Sequence, residues 1–247
     1  MHSSFFISDL HLSEERPATV DLFLGFLKTQ APAAERLYIL GDLFDAWVGD
    51  DDDSDLSRKV ISALRSLSHD CDIFIMHGNR DFLIGEQFSL ESRATLLPDP
   101  SIILLGDTPV LITHGDQLCT QDENYQKARK MRSDPKWIDD FLAKPLDERK
   151  KVAEIYRQQS GEAKSLLADD IMDVTEAEVV NWFEKFKVSL MIHGHTHRPA
   201  THEYEIDGRE CQRIVLPEWH QTKALALAVD DNMELTGIPA VSYTHLT

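Results

Sequence analysis

The sequence predicts an α/β protein built as a four-layer αββα sandwich with an inserted helical cap. Three observations lead to this prediction. Short apolar runs that end in Asp, His or Gly recur along the chain, amphipathic segments separate the first three runs, and one long later stretch contains helical patterns alone. Apolar runs of this length are typical of buried strands, and their alternation with amphipathic helices indicates a parallel sheet.

The predicted strands and helices follow one another in chain order. Five apolar runs predict buried strands at 5–8, 37–40, 73–76, 110–113 and 190–192. Two amphipathic stretches, at 17–30 and 56–68, predict crossover helices between the first three strands. Four further short runs, at 201–206, 213–216, 224–229 and 233–235, predict an antiparallel sheet that closes the fold.

The stretch from 122 to 186 predicts the helical cap, because it contains no convincing strand pattern. No repeat or low-complexity linker divides the chain. We therefore predict a single domain over 1–240, with the cap inserted at about 122–186. The last seven residues, VSYTHLT, continue no pattern and are interpreted as a tail outside the domain.

The composition excludes several classes of protein. The 247 residues carry a formal net charge of −18, whereas nucleic-acid binding needs a basic surface that displaces counterions. No apolar run approaches the roughly 18 residues of a membrane span, and the N-terminus lacks the pattern of a signal peptide, so we expect a cytoplasmic protein. The three cysteines have unrelated spacings, which predicts reduced thiols. No feature indicates an obligatory protein partner.

The charge is distributed unevenly along the chain. Between 123 and 164 there are eleven Lys and Arg against eight Asp and Glu, so this stretch is net positive in an acidic protein. One interpretation is a solvated helical face. The other is a surface for an anionic substrate or for lipid head groups.

Polar clusters follow all five predicted strands. Ligands bind at the carboxyl ends of strands in open α/β sheets, so the clusters can converge on one site. Asp9 and His11 are two residues apart, and so are His195 and His197. On an extended chain both members of each pair would face the same side. Carboxylate, amide and imidazole ligands suit Mn, Fe or Zn, which predicts a two-cation site. The clusters are Asp9-Leu10-His11, Gly41-Asp42, Gly78-Asn79-Arg80-Asp81, His114-Gly115-Asp116 and His193-Gly194-His195-Thr196-His197.

In this order, the clusters resemble the motifs of the calcineurin-like metallophosphoesterases: D-x-H, G-D, G-N-[HR]-D, H-G and G-H-x-H. The resemblance implies that two divalent cations activate water against a phosphorus centre. It also implies two ligand sets that share Asp42 as a bridge. The first set is Asp9, His11, Asp42 and His197, and the second is Asp42, Asn79, His114 and His195.

Arg80 stands where this superfamily commonly has a histidine that assists an alkoxide leaving group. Arginine cannot usefully donate a proton near neutral pH. We therefore expect a leaving group that needs no general acid, such as a phosphate monoester released from a pyrophosphate, with Arg80 stabilising charge in the transition state. The alternative is a structural role for Arg80 as the ion-pair partner of Asp81.

Longer strings resemble the UDP-2,3-diacylglucosamine pyrophosphatases of lipid A biosynthesis, among them SDLHLSEERP, YILGDLFDAWVGDDD, HGNRDFLIG and IHGHTHRPA. The resemblance implies Mn²⁺ as the metal, UMP and 2,3-diacylglucosamine 1-phosphate as products, and peripheral attachment to the anionic inner membrane. Near the C-terminus, Pro217 and Glu218 replace the glycine and the small or acidic residue of that family. The substrate contacts implied by the resemblance are Asn79, Arg80, Asp122, Ser160, Lys164 and His195, and the catalytic residues are Asp42, Asn79 and Arg80.

Two other functions stay open at this point. The chain could be another dinuclear-metal phosphoesterase that acts on nucleotides or phosphoproteins. It could also be a scaffold without catalysis, although such a scaffold is expected to have lost ligands and all seven are present here.

Overall fold

The computed structural model describes the backbone of residues 3–166 and 173–240, and the side chains of 3–157 and 173–240. Eleven strands in this part of the chain form two mixed sheets. The helices are α1 (Pro17–Thr29), α2 (Asp55–Leu67), α3 (Glu86–Ser92), α4 (Glu123–Arg132), α5 (Pro135–Leu142), α6 (Leu146–Leu166) and α7 (Glu176–Phe186).

The first sheet has six strands in the order β11-β10-β1-β2-β3-β4. Strands β1 to β4 pair in parallel, and β10 and β11 extend the sheet as antiparallel strands. Parallel pairing requires crossovers, which α1 and α2 supply. The strands are β1 (Ser3–Ile7), β2 (Arg36–Leu40), β3 (Asp72–Met76), β4 (Thr95–Leu97), β10 (Leu225–Asp230) and β11 (Leu235–Pro239).

The second sheet has five strands in the order β5-β6-β7-β9-β8. Its three central strands run parallel, and the outer strands pair with them as antiparallel hairpins. The strands are β5 (Ser101–Leu105), β6 (Thr108–Thr113), β7 (Leu190–His193), β8 (Ala200–Ile206) and β9 (Arg209–Val215).

Three apolar clusters define the layers. Alternate residues of a strand face opposite sides of its sheet, so Phe6 and Leu40 of the first sheet pack against Ile112 and Ile192 of the second. The other face of the first sheet packs against α1 and α2, and the other face of the second packs against α7. The order helix, sheet, sheet, helix confirms the predicted αββα architecture.

The prediction of one closing antiparallel sheet is wrong. Strands β8 and β9 join the second sheet, whereas β10 and β11 extend the first. The short elements α3, β4 and β5 were also not predicted. Helix α3 and strand β4 are too short to give a clear period in the sequence. Strand β5 is an apolar run like those predicted as strands, and it was missed.

The segment between β6 and β7 contains four α-helices in the described residues. Helix α7 packs on the second sheet through Val179, Trp182 and Phe183, so it serves as the crossover between two parallel strands. Helices α4 to α6 lie beside the polar edge of the sandwich, and we call them the cap. The predicted boundaries of the insertion, 122 and 186, stay a prediction. No helix in the described chain is long and apolar enough to cross a bilayer.

Candidate metal centre

The predicted ligands lie in neighbouring loops, because the parallel strands of both sheets end at the same edge of the sandwich. Neither sheet contributes the whole set: four of the seven residues follow strands of the first sheet and three follow strands of the second. The loops carry Asp9 and His11 after β1, Asp42 after β2, Asn79 after β3, His114 after β6, and His195 and His197 after β7.

Five of the seven predicted ligands have a left-handed backbone, with φ between 48° and 69°. Only nine non-glycine residues in the described chain have positive φ. Such conformations cost about 1–3 kcal/mol each and are concentrated at functional sites. The prediction that the two ligand pairs sit on extended chain is therefore wrong, since β1 and β7 end before them. The five residues are Asp9, His11, Asp42, His195 and His197.

Two glycines of the motifs make room for the buried carboxylates. A Cβ atom added at Gly78 would collide with the carboxylate and amide of Asp42, and one added at Gly194 would collide with the carboxylate of Asp9. The glycines of the G-N and G-H motifs are therefore needed for close approach of the loops rather than for a special φ.

Asp9, His11 and His197 form the first group of candidate ligands, with donor atoms within 4.8 Å of one another. Asp9 Oδ2 accepts hydrogen bonds from the Ser8 hydroxyl at 2.6 Å and from the His195 amide at 2.9 Å. Asp9 Oδ1 is left facing His197 Nε2 at 3.3 Å. The same Nε2 lies 3.3 Å from His11 Nε2. One carboxylate oxygen and two imidazoles thus converge on one point.

Asp9, Asp42 and His114 form a second group within the same distance limit. His114 Nδ1 lies 2.9 Å from the Leu40 carbonyl, so it carries the proton and Nε2 is free to accept. That Nε2 lies 3.2 Å from Asn79 Oδ1 and 3.8 Å from Asp42 Oδ2. When the ring is neutral, all three of these atoms are acceptors, an arrangement that a cation stabilises.

The two groups share Asp9 by distance, whereas the resemblance implied that Asp42 is shared. Asp42 Oδ2 nevertheless lies between the groups, 3.9 Å from His11 Nδ1 and 3.8 Å from His114 Nε2. Its other oxygen, Oδ1, accepts the Arg80 amide at 2.8 Å. A bridging role for Asp42 stays a prediction.

The residues fit a pair of divalent cations. Asp9 Oδ1 and His11 Nδ1 are buried and have no hydrogen-bond partner in the described chain, although buried polar atoms normally have one. Burial raises the pKa of Asp42 to about 7 despite the nearby His114 imidazole, and a cation would hold this carboxylate ionised. Hard oxygen donors mixed with imidazoles suit Mn, Fe or Zn.

The imidazoles differ in their electrostatics. Burial lowers the pKa of His11 to about 4. Burial also acts to lower the pKa of His197, but the carboxylates of Asp9 and Glu218 on either side of the ring override it and raise the pKa to about 9. In His114 the charges of Asp42 and Asp9 overcome burial in the same way, and the pKa is about 9.

Asp81 holds the loop that carries Asp42. Its buried carboxylate accepts hydrogen bonds from the backbone amides of Gly78, Asp42, Leu43 and Phe44. No hydrogen bond or ion pair within the described chain joins Asp81 to the Arg80 guanidinium. Arg80 lines the cleft together with predicted ligands instead, and a side chain of this length can reach an anionic substrate there.

The cleft also contains charged residues that were not predicted from the sequence as site residues. Arg16 and Glu218 line it beside His197, and Asp45 lines it on the side of the cap. Asp45 accepts a hydrogen bond at 2.7 Å from Arg157 of α6, so the cap contacts the rim of the cleft. The sequence did contain signals for these residues: the strings SDLHLSEERP and YILGDLFDAWVGDDD include Arg16 and Asp45, and Glu218 stands where the pyrophosphatase family has a small or acidic residue.

The predicted substrate contacts are placed unequally. Asn79, Arg80 and His195 line the cleft. Asp122 lies at the N-terminus of α4, where its Oδ1 accepts the Tyr125 amide at 2.9 Å, and it does not line the cleft. Ser160 and Lys164 belong to α6, but their side chains lie outside the described residues.

A second network, around Asp116, ties the cap to the centre. Asp116 Oδ2 accepts hydrogen bonds from the Tyr125 hydroxyl at 3.0 Å, from Arg129 at 3.1 Å and from Arg132 at 3.1 Å. The Tyr125 ring lies 5.5 Å from the His195 ring. Helix α4 is therefore fixed directly against a predicted ligand.

An αββα sandwich with a cluster of carboxylate, amide and imidazole donors at its edge is typical of metal-dependent phosphoesterases, and comparison with known proteins gives the same class. The model of the calcineurin-like phosphoesterases matches residues 4–199, and the chain belongs to that family. The predicted resemblance is thus confirmed.

Individual relatives are similar over nearly their whole length. A UDP-2,3-diacylglucosamine hydrolase of Chromohalobacter salexigens is 48% identical, and the alignment covers 93% of this chain and 94% of that protein. The protein of the same name from Marinobacter nauticus is 49% identical over 89% of this chain and 90% of its own. That of Aromatoleum aromaticum is 48% identical over 88% and 89%.

Proposed function

We propose that the chain hydrolyses the pyrophosphate bond of UDP-2,3-diacylglucosamine, giving UMP and 2,3-diacylglucosamine 1-phosphate in lipid A biosynthesis. The observation that carries this proposal is the similarity of 48–49% over about nine-tenths of the chain to proteins named UDP-2,3-diacylglucosamine hydrolase. The intact donor set at the centre supports a catalytic role rather than that of a scaffold.

Two divalent cations, with Mn²⁺ as our proposal, would be held by two sets that share Asp42. The first set is Asp9, His11, Asp42 and His197, and the second is Asp42, Asn79, His114 and His195. When bound, such ions lower the pKa of water and neutralise charge on phosphoryl oxygens.

The protein residues orient the substrate and complement its charge. Arg80 lines the cleft without a carboxylate partner in the described chain, so its guanidinium is free to bind the pyrophosphate in a bidentate manner. Attack at the phosphorus bonded to uridine expels a sugar 1-phosphate, which leaves without protonation. Arg80 can therefore replace the histidine of the wider superfamily without loss of function.

The cap provides a surface for the acyl chains and for the membrane. Four of the eight exposed large hydrophobic side chains in the described residues lie on α4 to α6, and the most exposed of the four is Ile155 at 52%. Exposed apolar side chains on helices rich in Lys and Arg favour contact with an anionic lipid surface. Together with the excess of Lys and Arg, they support peripheral docking of the cap on the anionic inner membrane. The four residues are Met131, Leu142, Ile155 and Tyr156.

The test is hydrolysis of UDP-2,3-diacylglucosamine with added Mn²⁺, followed by UMP release. We expect UMP from the wild type, almost none from Asp42→Ala, and wild-type rates from Glu203→Gln, a control that removes an exposed carboxylate of β8. A wild-type protein that binds two cations and cleaves other phosphoesters, but releases no UMP, would retain the family chemistry and exclude this substrate.

Membrane docking has a separate test. Vesicles that contain phosphatidylglycerol should bind the protein at low salt and release it as salt rises, because the attraction between exposed charges is screened. Binding that is indifferent to salt would exclude the basic surface of the cap as its cause.

A further inference from the structure

Two charged residues beside the first ligand group, Arg16 and Glu218, lie outside every predicted ligand set. Their side chains are 28% and 20% exposed, respectively, and both line the cleft. They come from opposite ends of the chain. Arg16 precedes α1, and Glu218 lies between β9 and β10.

Glu218 contacts the back of His197. Its Oε2 lies 2.9 Å from His197 Nδ1, so that nitrogen donates its proton to the carboxylate. The other ring nitrogen, Nε2, is then turned towards Asp9 Oδ1 and His11 Nε2, each 3.3 Å away. A carboxylate behind a ligating histidine fixes its tautomer and orientation and increases its basicity.

The second group lacks this feature at its own buried imidazole. His114 Nδ1 donates to the neutral Leu40 carbonyl at 2.9 Å. A neutral acceptor orients the ring but adds no negative charge. A carboxylate thus contacts the back of His197 directly, whereas a carbonyl contacts the back of His114 and the charge of Asp116 acts on that ring without a hydrogen bond or ion pair to it in the described chain.

Arg16 links the segment that follows β1 to the segment between β9 and β10. One of its terminal nitrogens donates to the Trp219 carbonyl at 2.6 Å, and the other lies 3.5 Å from the carbonyls of Leu10 and His11. The second nitrogen also lies 3.7 Å from Glu218 Oε1. One guanidinium thus joins the loop that carries His11 to the segment that carries Glu218.

His220 also contacts this pair. Its Nε2 lies 3.3 Å from Glu218 Oε2, and its Nδ1 lies 3.3 Å from Arg16. The ring is about half exposed, so it shields the network from solvent on one side without closing it.

We propose that Glu218, held by Arg16, is a positioning residue that selectively strengthens the cation site of Asp9, His11 and His197. The inference rests on the proposed two-cation function and deepens it. It gives the two sites different affinities, with the stronger dependence on Glu218 at the site that contains His197.

The test is a calorimetric titration of the metal-free protein with Mn²⁺. Wild type should bind two ions. Glu218→Gln should weaken one of them about 10- to 100-fold, the loss typical of removing a carboxylate behind a ligand, and leave the other unchanged. Glu218→Asp, which keeps the charge, should lie closer to wild type than Glu218→Gln. Glu203→Gln should match wild type.

A double-mutant cycle identifies the affected site. In a His197→Ala background, Glu218→Gln should have no further effect, because the residue through which Glu218 acts is absent. Arg16→Met should weaken the same ion as Glu218→Gln, and circular dichroism of each metal-free variant checks that it is folded.

The outcomes separate this proposal from the proposed function. Equal weakening of both ions by Glu218→Gln, or no weakening of either, would overturn the positioning role while two-cation binding by wild type stood. Wild type that binds fewer than two ions would instead contradict the two-cation function itself.

Discussion

Replacement of Arg149 by methionine tests how the cap is anchored to the sandwich. The Arg149 side chain is only 3% exposed, and it lies near the start of α6. It donates to the carbonyls of Val48 and Lys144 and makes a two-pronged ion pair with Asp51. One side chain thus joins the cap to the loop after β2.

The magnitude follows from these contacts. A hydrogen bond that involves a charged group contributes about 1.5–3 kcal/mol, and two carbonyls would lose such a donor. Asp51 is 60% exposed, so water replaces most of its interaction and we assign it little. Methionine regains part of the packing. The expected loss in the free energy of unfolding is about 3 kcal/mol.

Lys150 provides a matched control on the next position of α6. It pairs with Asp52 at 2.9 Å, but its side chain is 46% exposed, and exposed pairs contribute roughly 0–1 kcal/mol. Urea unfolding of Arg149→Met and Lys150→Met therefore compares a buried anchor with an exposed one. Hydrogen exchange over 146–157 should accelerate in the first variant only.

The effect of Arg149 depends on pH with a defined sign. The Arg149 hydrogen bond is the largest cause that lowers the pKa of Asp51 below its ordinary value. The ion pair between Arg149 and Asp51 therefore stabilises the fold at pH values above the ordinary pKa of an aspartate. This stabilisation is lost as the pH falls through the lowered pKa of Asp51. Equal stabilities of the two methionine variants at pH 7 would refute the anchoring role.

Three further perturbations test the centre and its support. Arg80→Ala should lower kcat about 10²- to 10³-fold with Mn²⁺ affinity unchanged, and Arg80→His should not raise turnover of UDP-2,3-diacylglucosamine; a faster histidine variant would contradict the role of the guanidinium. Gly78→Ala should abolish binding of at least one Mn²⁺ in calorimetry, because its Cβ collides with Asp42, and wild-type binding would count against this close packing. Trp219→Ala should cost about 3–5 kcal/mol in urea unfolding, since the ring is fully buried; a loss below about 1 kcal/mol would show that the core reorganises around the cavity.

Most residues of the site could be predicted because they lie in short, recognisable sequence motifs. Asp9 and His11 are two residues apart, and so are His195 and His197, so each pair could be recognised without knowledge of the fold. Their left-handed backbone could not be predicted, because Asp and His adopt it only where the surrounding loops impose it. The prediction that the two members of each pair lie close together assumed an extended backbone, and that assumption was wrong.

Contacts between distant parts of the chain were not predictable in the same way. Arg16 and Glu218 are separated by some two hundred residues, and no periodic pattern links them. The pairing of β10 with β1 was likewise missed, since hydrophobic alternation predicts a strand but does not identify its neighbour in a sheet. Because this pairing was missed, β8 to β11 were incorrectly predicted to form a single closing sheet.

The most direct test of the proposed reaction is hydrolysis of UDP-2,3-diacylglucosamine in ¹⁸O-labelled water, with both products analysed by mass spectrometry. Attack at the phosphorus bonded to uridine places the labelled oxygen in UMP and leaves 2,3-diacylglucosamine 1-phosphate unlabelled. That is the result we predict. Label in the sugar 1-phosphate would contradict the proposed position of attack and the role assigned to Arg80.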